Sequence, residues 1–223
     1  MTTTSSRSKK RRTTSAKSRR GTGGRRSRSG GKLIWVFLAV LIALFAVLAF
    51  VSRSTGPAAE ITGSEVSGDA LQPFSTGLDS AVGTPAPTVT GTALDGESMK
   101  IEPGDGTPKA IVFLAHWCPH CQREVPVVTD WANDGGVPEG VEVVSVATGI
   151  DRNRPNFPPQ DWLERENWPL PTLIDGNNAV GRAYGLTTYP YWVLVDGEGS
   201  VVQRWSGETT PQLLSERIGA LSE

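Results

Sequence analysis

The first 59 residues of this chain contain no aspartate or glutamate, and the whole 223 residues contain only two cysteines and two histidines. Two cysteines exclude a framework of several disulfides, and no second ligand pair exists elsewhere to complete a multi-cysteine metal site. The missing acidic residues matter more. Residues 1–59 carry thirteen Lys or Arg, whereas residues 60–223 carry the other nine of the 22 basic residues and all 23 acidic ones, a net of −14. The overall charge of −1 therefore conceals two parts suited to different surroundings.

Residues 1–32 are nearly all Ser, Thr, Gly, Lys and Arg. Such a composition buries nothing and is expected to stay disordered. The tail has no aromatic residue to stack on bases, so it does not point to nucleic acid. Long apolar runs are also absent, with one exception. Leu33 to Val51 is nineteen uncharged, apolar residues, roughly 28 Å as a helix, which matches the hydrocarbon core of a bilayer. Residues 33–51 are read as a transmembrane helix acting as a signal-anchor. A cleaved signal is the alternative, but the run is long for one and Phe50-Val51-Ser52-Arg53 is a poor cleavage site. Arg25-Arg26 lacks the apolar residues that follow a twin-arginine signal. The basic flank places the tail in the cytoplasm and everything after Val51 outside, in a single-pass protein of the cell membrane. Residues 52–81, rich in Gly, Ser, Thr and Ala, are expected to form a flexible linker, with a short amphipathic turn around Leu71 to Phe74.

Residues 82–223 carry the pattern of an α/β domain. Thr88 to Ile101 reads as two short strands around Asp95-Gly96, and Ala110 to Ala115 as a buried strand. A helix from Cys118 to about Trp131 follows, bent at Pro126 where the ring removes one hydrogen bond, and then the Val-rich strand Val141 to Ala147. A short helix around Gln160 to Asn167, an extended piece at Leu173-Ile174-Asp175 and a helix from Ala179 to Tyr184 come next. Tyr191 to Asp196 and Val201 to Ser206 form a hairpin, and Thr210 caps a last helix running to about Leu221.

Both cysteines and both histidines fall at the junction of the buried strand with its helix, in Ala115-His116-Trp117-Cys118-Pro119-His120-Cys121. With the helix beginning near Cys118, Pro119 occupies its first turn, where a missing N–H costs nothing. The free N–H groups of that turn, the helix dipole and a protonated His120 would each favour a thiolate at Cys118. Cys121, three residues on, shares a helix face with it and can close a small disulfide ring. A ring that short removes little chain entropy, so a purely structural staple would stabilise almost nothing. A metal site built from His116, Cys118, His120 and Cys121 is the sharper rival to disulfide exchange.

These residues carry a resemblance. Trp117-Cys118-x-x-Cys121-x-x-Glu124-x-Pro126, Ala86-Pro87, Asp95-Gly96, Asp175 with Ala179, Tyr184-Gly185-Leu186, Thr188-Tyr189-Pro190 and Asp196-Gly197 together resemble the membrane-anchored TlpA/ResA-type thiol-disulfide oxidoreductases. The resemblance spans residues 82–223. It implies a thioredoxin fold, a central mixed sheet flanked by helices, with an N-terminal strand extension. It also implies that Cys118 is the exposed nucleophile and Cys121 the resolving thiol, that Pro190 is a cis-proline facing the disulfide, and that Glu124 exchanges a proton with Cys121. Trp117, Pro119 and Tyr189 would contact an extended substrate.

Two departures bear on direction. Val112 stands where thioredoxin carries a buried acid, and Pro119-His120 is the dipeptide of the periplasmic oxidase DsbA. The scaffold suggests a reductase of apocytochrome c or other exported disulfides; the dipeptide suggests an oxidant, with His120 tuning the pair. The expected partners are exported protein thiols or disulfides and a further redox protein that recycles the pair, with no cofactor. A copper-handling thioredoxin-like module using His116, Cys118 and Cys121 is the alternative of another class.

Overall fold

The computed structural model describes residues 35–45 and 63–222; the basic tail at 1–32 and the rest of the apolar run lie outside the described residues. Residues 35–45 form a helix (α1) with exposed apolar side chains. Among the described residues no helix is long and apolar enough to cross a membrane.

The domain is organised around β4 (Lys109–Leu114), every residue of which is buried. It pairs in parallel with β5 (Glu142–Ala147) and antiparallel with β7 (Tyr191–Val195). Beyond β5 lies the parallel β6 (Thr172–Ile174), and beyond β7 its hairpin partner β8 (Val201–Ser206). β2 (Thr88–Ala93) joins β6 antiparallel and forms the expected hairpin with β3 (Ser98–Ile101). A strand with solvent on neither face reads as an unbroken apolar run, as Ala110 to Ala115 does.

Side chains along β4 alternate between two cores. Ala110, Val112 and Leu114 pack with Cys121, Val125 and Val128 of α2 (Pro119–Asn133), Trp162 and Leu163 of α3 (Pro159–Arg165), and Leu214 and Ile218 of α5 (Pro211–Gly219). Ile111 and Phe113 pack on the other side with Val89, Tyr191, Tyr184 and Val180, the last from α4 (Ala179–Ala183). Thr210 Oγ1 accepts the Leu213 N–H and so caps α5. Pro126 lies inside α2, which continues through it as one helix.

The linker expected over 52–81 is corrected from residue 63 onward. β1 (Glu65–Ser67) pairs antiparallel with β2, and Ser64 Oγ donates to the Ile174 carbonyl. The Leu71 and Phe74 N–H groups donate to the carbonyls of Ala183 and Gly185. Arg204, fully buried, bonds the Asp79 carboxylate through Nε and Nη2 and the Gln72 carbonyl through Nη1. A Gly- and Ser-rich composition conceals this because only a few side chains, Leu71, Phe74, Asp79 and Ala81 among them, hold the segment down. The strand extension thus comprises three strands, not two.

Candidate active site

The end of β4 turns sharply into α2. The Cys118 N–H closes the turn on the Ala115 carbonyl at 3.0 Å, and Cys118 is the N-cap of α2, with Pro119 following in the first turn. No side chain caps this helix end, so the first-turn N–H groups and the positive end of the dipole are left beside the Cys118 sulfur. Both cysteines are free thiols. Cys118 is only 6% exposed, less open than the exposed nucleophile expected from the sequence, while Cys121 is sealed completely. The narrow opening has a cause: Cys118 Sγ lies 3.9 Å from the Tyr189 carbonyl, which closes over it. The Tyr189–Pro190 bond is cis, and Pro190 is buried with its carbonyl accepting the Gly207 N–H.

Deeper in, Cys121 Sγ accepts the Ala115 N–H at 3.5 Å, and burial pushes its thiol pKa far up. Glu124, one helical turn further on, is 1% exposed. Its Oε1 accepts from Trp192 Nε1 at 3.1 Å and its Oε2 from the Thr209 N–H at 2.8 Å. Burial raises its pKa, and the two N–H bonds only partly oppose that. Glu124 is therefore an interior group on the same helix face as Cys121.

Pro119 and His120 are exposed at the rim. His120 Nδ1 lies 2.7 Å from Glu208 Oε1 and 2.9 Å from Arg123 Nη2, so an imidazolium can donate to Glu208 and a neutral ring can accept from Arg123. Arg123 donates to the same Glu208 oxygen through Nε and Nη2. Arg123 first, and then His120, hold the Glu208 carboxyl down at about 2. Trp117 is half-buried, donates Nε1–H to the Gly149 carbonyl at 2.6 Å and meets Tyr189 edge-on at 5.9 Å. Burial pushes the Tyr189 phenol up to about 12.

The structure thus brings Trp117, Cys118, Tyr189 and Pro190 together, with Cys121 and Glu124 beneath and Pro119 and His120 at the edge. Sequence reasoning missed Glu208 and Thr209, which precede a capped helix and read as loop residues. It also missed Trp192, which reads as core. Gly149 carried a signal: at its φ of +64° a Cβ would run into the Tyr189 hydroxyl, so the position calls for glycine.

His116 has a different role from the one weighed for it. Its Nδ1–H donates to the Pro155 carbonyl at 2.6 Å, and its Nε2 accepts the Asp151 N–H at 3.2 Å. Its own carbonyl accepts from Asn156 and Gln122 side chains. Both ring nitrogens are committed to anchoring the 151–156 loop, and burial lowers the pKa of the ring. Among the described residues no group of three or more His, Cys, Asp or Glu could hold a metal ion.

Comparison with known proteins places this geometry. Residues 81–217 match the Redoxin family. Thiol-disulfide oxidoreductase ResA of Bacillus thuringiensis subsp. konkukian is 24% identical over 137 residues, covering 61% of this chain and 76% of its own. Thiol:disulfide interchange protein DsbE of Escherichia coli K12 is 28% identical over 153 residues, covering 66% and 78%. Among solved structures, MTB dsbF in its mixed oxidized and reduced forms is 30% identical with a TM-score of 0.50, covering 59% of this chain and 93% of its own. StoA from Bacillus subtilis, at 22% identity and a TM-score of 0.52, shares the thioredoxin-like fold over 60% of this chain and 97% of its own.

Proposed function

Because the chain belongs to the Redoxin family and is a thiol-disulfide oxidoreductase, we propose that it is anchored by residues 33–51 in the cell membrane and oxidises exported protein thiols outside the cytoplasm. One observation carries the reading of the site: of two sulfurs on one helix face, Cys118 is reachable beside the Tyr189 carbonyl and Cys121 is sealed above a buried carboxyl. A substrate thiolate attacks Cys118 Sγ of the disulfide, the Cys118–Cys121 bond breaks, and Cys121 leaves. Glu124 delivers a proton to it, which keeps two negative charges from meeting in the interior. A second substrate thiolate then attacks the substrate sulfur and expels Cys118. Two electrons have passed to the pair, which an oxidised extracytoplasmic partner must remove.

The oxidant direction is supported by His120 and Arg123, two basic groups at the Cys118 end of α2 that share one carboxylate, Glu208. The same carboxylate favours the reductase reading by offsetting part of that charge. Trapping tests the roles. Cys121→Ser should accumulate mixed disulfides through Cys118, and Cys118→Ser should accumulate none. The reverse pattern would exchange the two assignments.

A further inference from the structure

Residues 60–223 carry nine basic side chains against 23 acidic ones, yet the redox face is rich in arginine. Lys100, Lys109 and Arg204 pair with carboxylates away from the site. Arg123 sits beside His120, and the Cys118 sulfur is close enough to contribute to raising its pKa, after Glu208. Arg154 lies flat on the Trp117 ring, its Cζ 4.4 Å from the centroid, and Arg152 lies 5.9 Å above Phe157, which meets His116 edge-on. Neither Arg152 nor Arg154 pairs with a carboxylate among the described residues. Asp151, their neighbour, turns its carboxylate back to the Asn153 N–H. Arg182 lines a hollow of about 170 Å³ with Thr148, Thr187 and Tyr189.

This arrangement is built. His116 spends both ring nitrogens on the loop that carries Arg152 and Arg154, which holds Arg154 on Trp117 and Arg152 over Phe157. A guanidinium stacked on an aromatic ring keeps its N–H fork outward, the geometry that receives a carboxylate through two parallel bonds. An unpaired cation beside a reaction centre in an otherwise acidic domain repels nothing acidic and steers carboxylates inward.

We propose that this face selects polypeptides whose reactive cysteine is flanked by Asp or Glu, with the extended segment along Tyr189 and its carboxylates on Arg152, Arg154 and Arg182. The proposal names the substrate class of the exchange reaction above and rests on that reading.

The test uses the full chain, oxidised, in neutral detergent, with two reduced dithiol peptides that differ only in flanking Glu or Lys. Each rate is normalised to that of the same peptide with a neutral small disulfide, which removes differences in thiol reactivity. The Glu peptide should reduce the Cys118–Cys121 disulfide about tenfold faster at low ionic strength, converging to within about twofold near 0.5 M salt. The Arg152→Gln/Arg154→Gln variant should lose most of that preference, and Arg152→Glu/Arg154→Glu should reverse it. The basic tail is present in every variant and cannot account for such a change.

Equal rates for the two peptides in the wild type, or a preference that survives both substitutions, would overturn the proposal. A face that instead docks on anionic lipid would show no peptide preference and slower exchange in discs of phosphatidylglycerol than of phosphatidylcholine, which also overturns it. Exchange with neither peptide would sink the thiol-exchange reading itself, and this one with it.

Discussion

Glu124 shows how much one buried carboxyl can govern. Its folded pKa lies above its ordinary one, so the fold holds a proton that the unfolded chain releases. The stability this lends is present in full below about pH 4 and is lost as pH rises through the folded value. Glu124→Gln does not titrate. In the reduced protein, its stability relative to wild type should therefore improve as pH is raised from about 4 to about 8, which urea unfolding at each pH would read. A difference that stayed flat with pH would mean that folding does not raise the Glu124 pKa. The same substitution removes the proton donor for the departing Cys121, and opening of the Cys118–Cys121 disulfide by the substrate thiolate should slow on the order of a hundredfold.

At the rim, Glu208 and His120 should push the reduction potential in opposite directions. Glu208→Gln takes a negative charge from the His120 and Arg123 cluster while Arg123 keeps its positive one, so the reduced thiolate gains and the potential rises by roughly 10 to 30 mV. His120→Pro removes a group able to carry positive charge there and should lower the potential by a similar amount. Equilibration against glutathione measures both. A wild-type potential near the thioredoxin value of about −270 mV, moved by neither change, would leave the reductase as the better account.

Among the elements, the segment from residue 63 to 81 depends on Arg204 of β8. That guanidinium bonds Asp79, Gln72, the Tyr184 carbonyl and the Tyr191 hydroxyl, and it faces the Phe74 ring. Its presence holds the Asp79 carboxyl below its usual range. Gly185 belongs to the same clasp: it has a φ of +70°, and a Cβ there would run into the Gln72 carbonyl. Arg204→Met leaves Asp79 unpaired in a mostly buried position and should cost about 3 kcal/mol or more in urea unfolding, whereas Arg204→Met/Asp79→Leu should recover much of it. Equal losses in the single and double variants would show that the pair is not what holds the segment.

The contrast with the motif explains what the sequence could reveal. The β4–α2 junction was legible because its signals are local: an apolar run, a proline in the first turn, two cysteines three apart. The bonds from Arg204 to Gln72 and Asp79 and the Glu208 and Thr209 contacts to α2 join residues 85 to 132 positions apart, and no periodicity marks such pairs.

For the whole molecule, the division of charge becomes a statement about sidedness. Under the anchoring proposed above, the basic residues that precede the apolar run would hold the tail in the cytoplasm and leave the domain outside. The only two thiols of the chain make this measurable. Cys118 is reached through a narrow opening and Cys121 not at all, so a membrane-impermeant maleimide has one target in the reduced protein. After mild reduction, intact cells should label at Cys118, and Cys118→Ser should remove the signal. Labelling that appears only after lysis would place the domain in the cytoplasm, where a strongly oxidising dithiol pair would be held reduced by the glutathione pool and could not oxidise exported thiols.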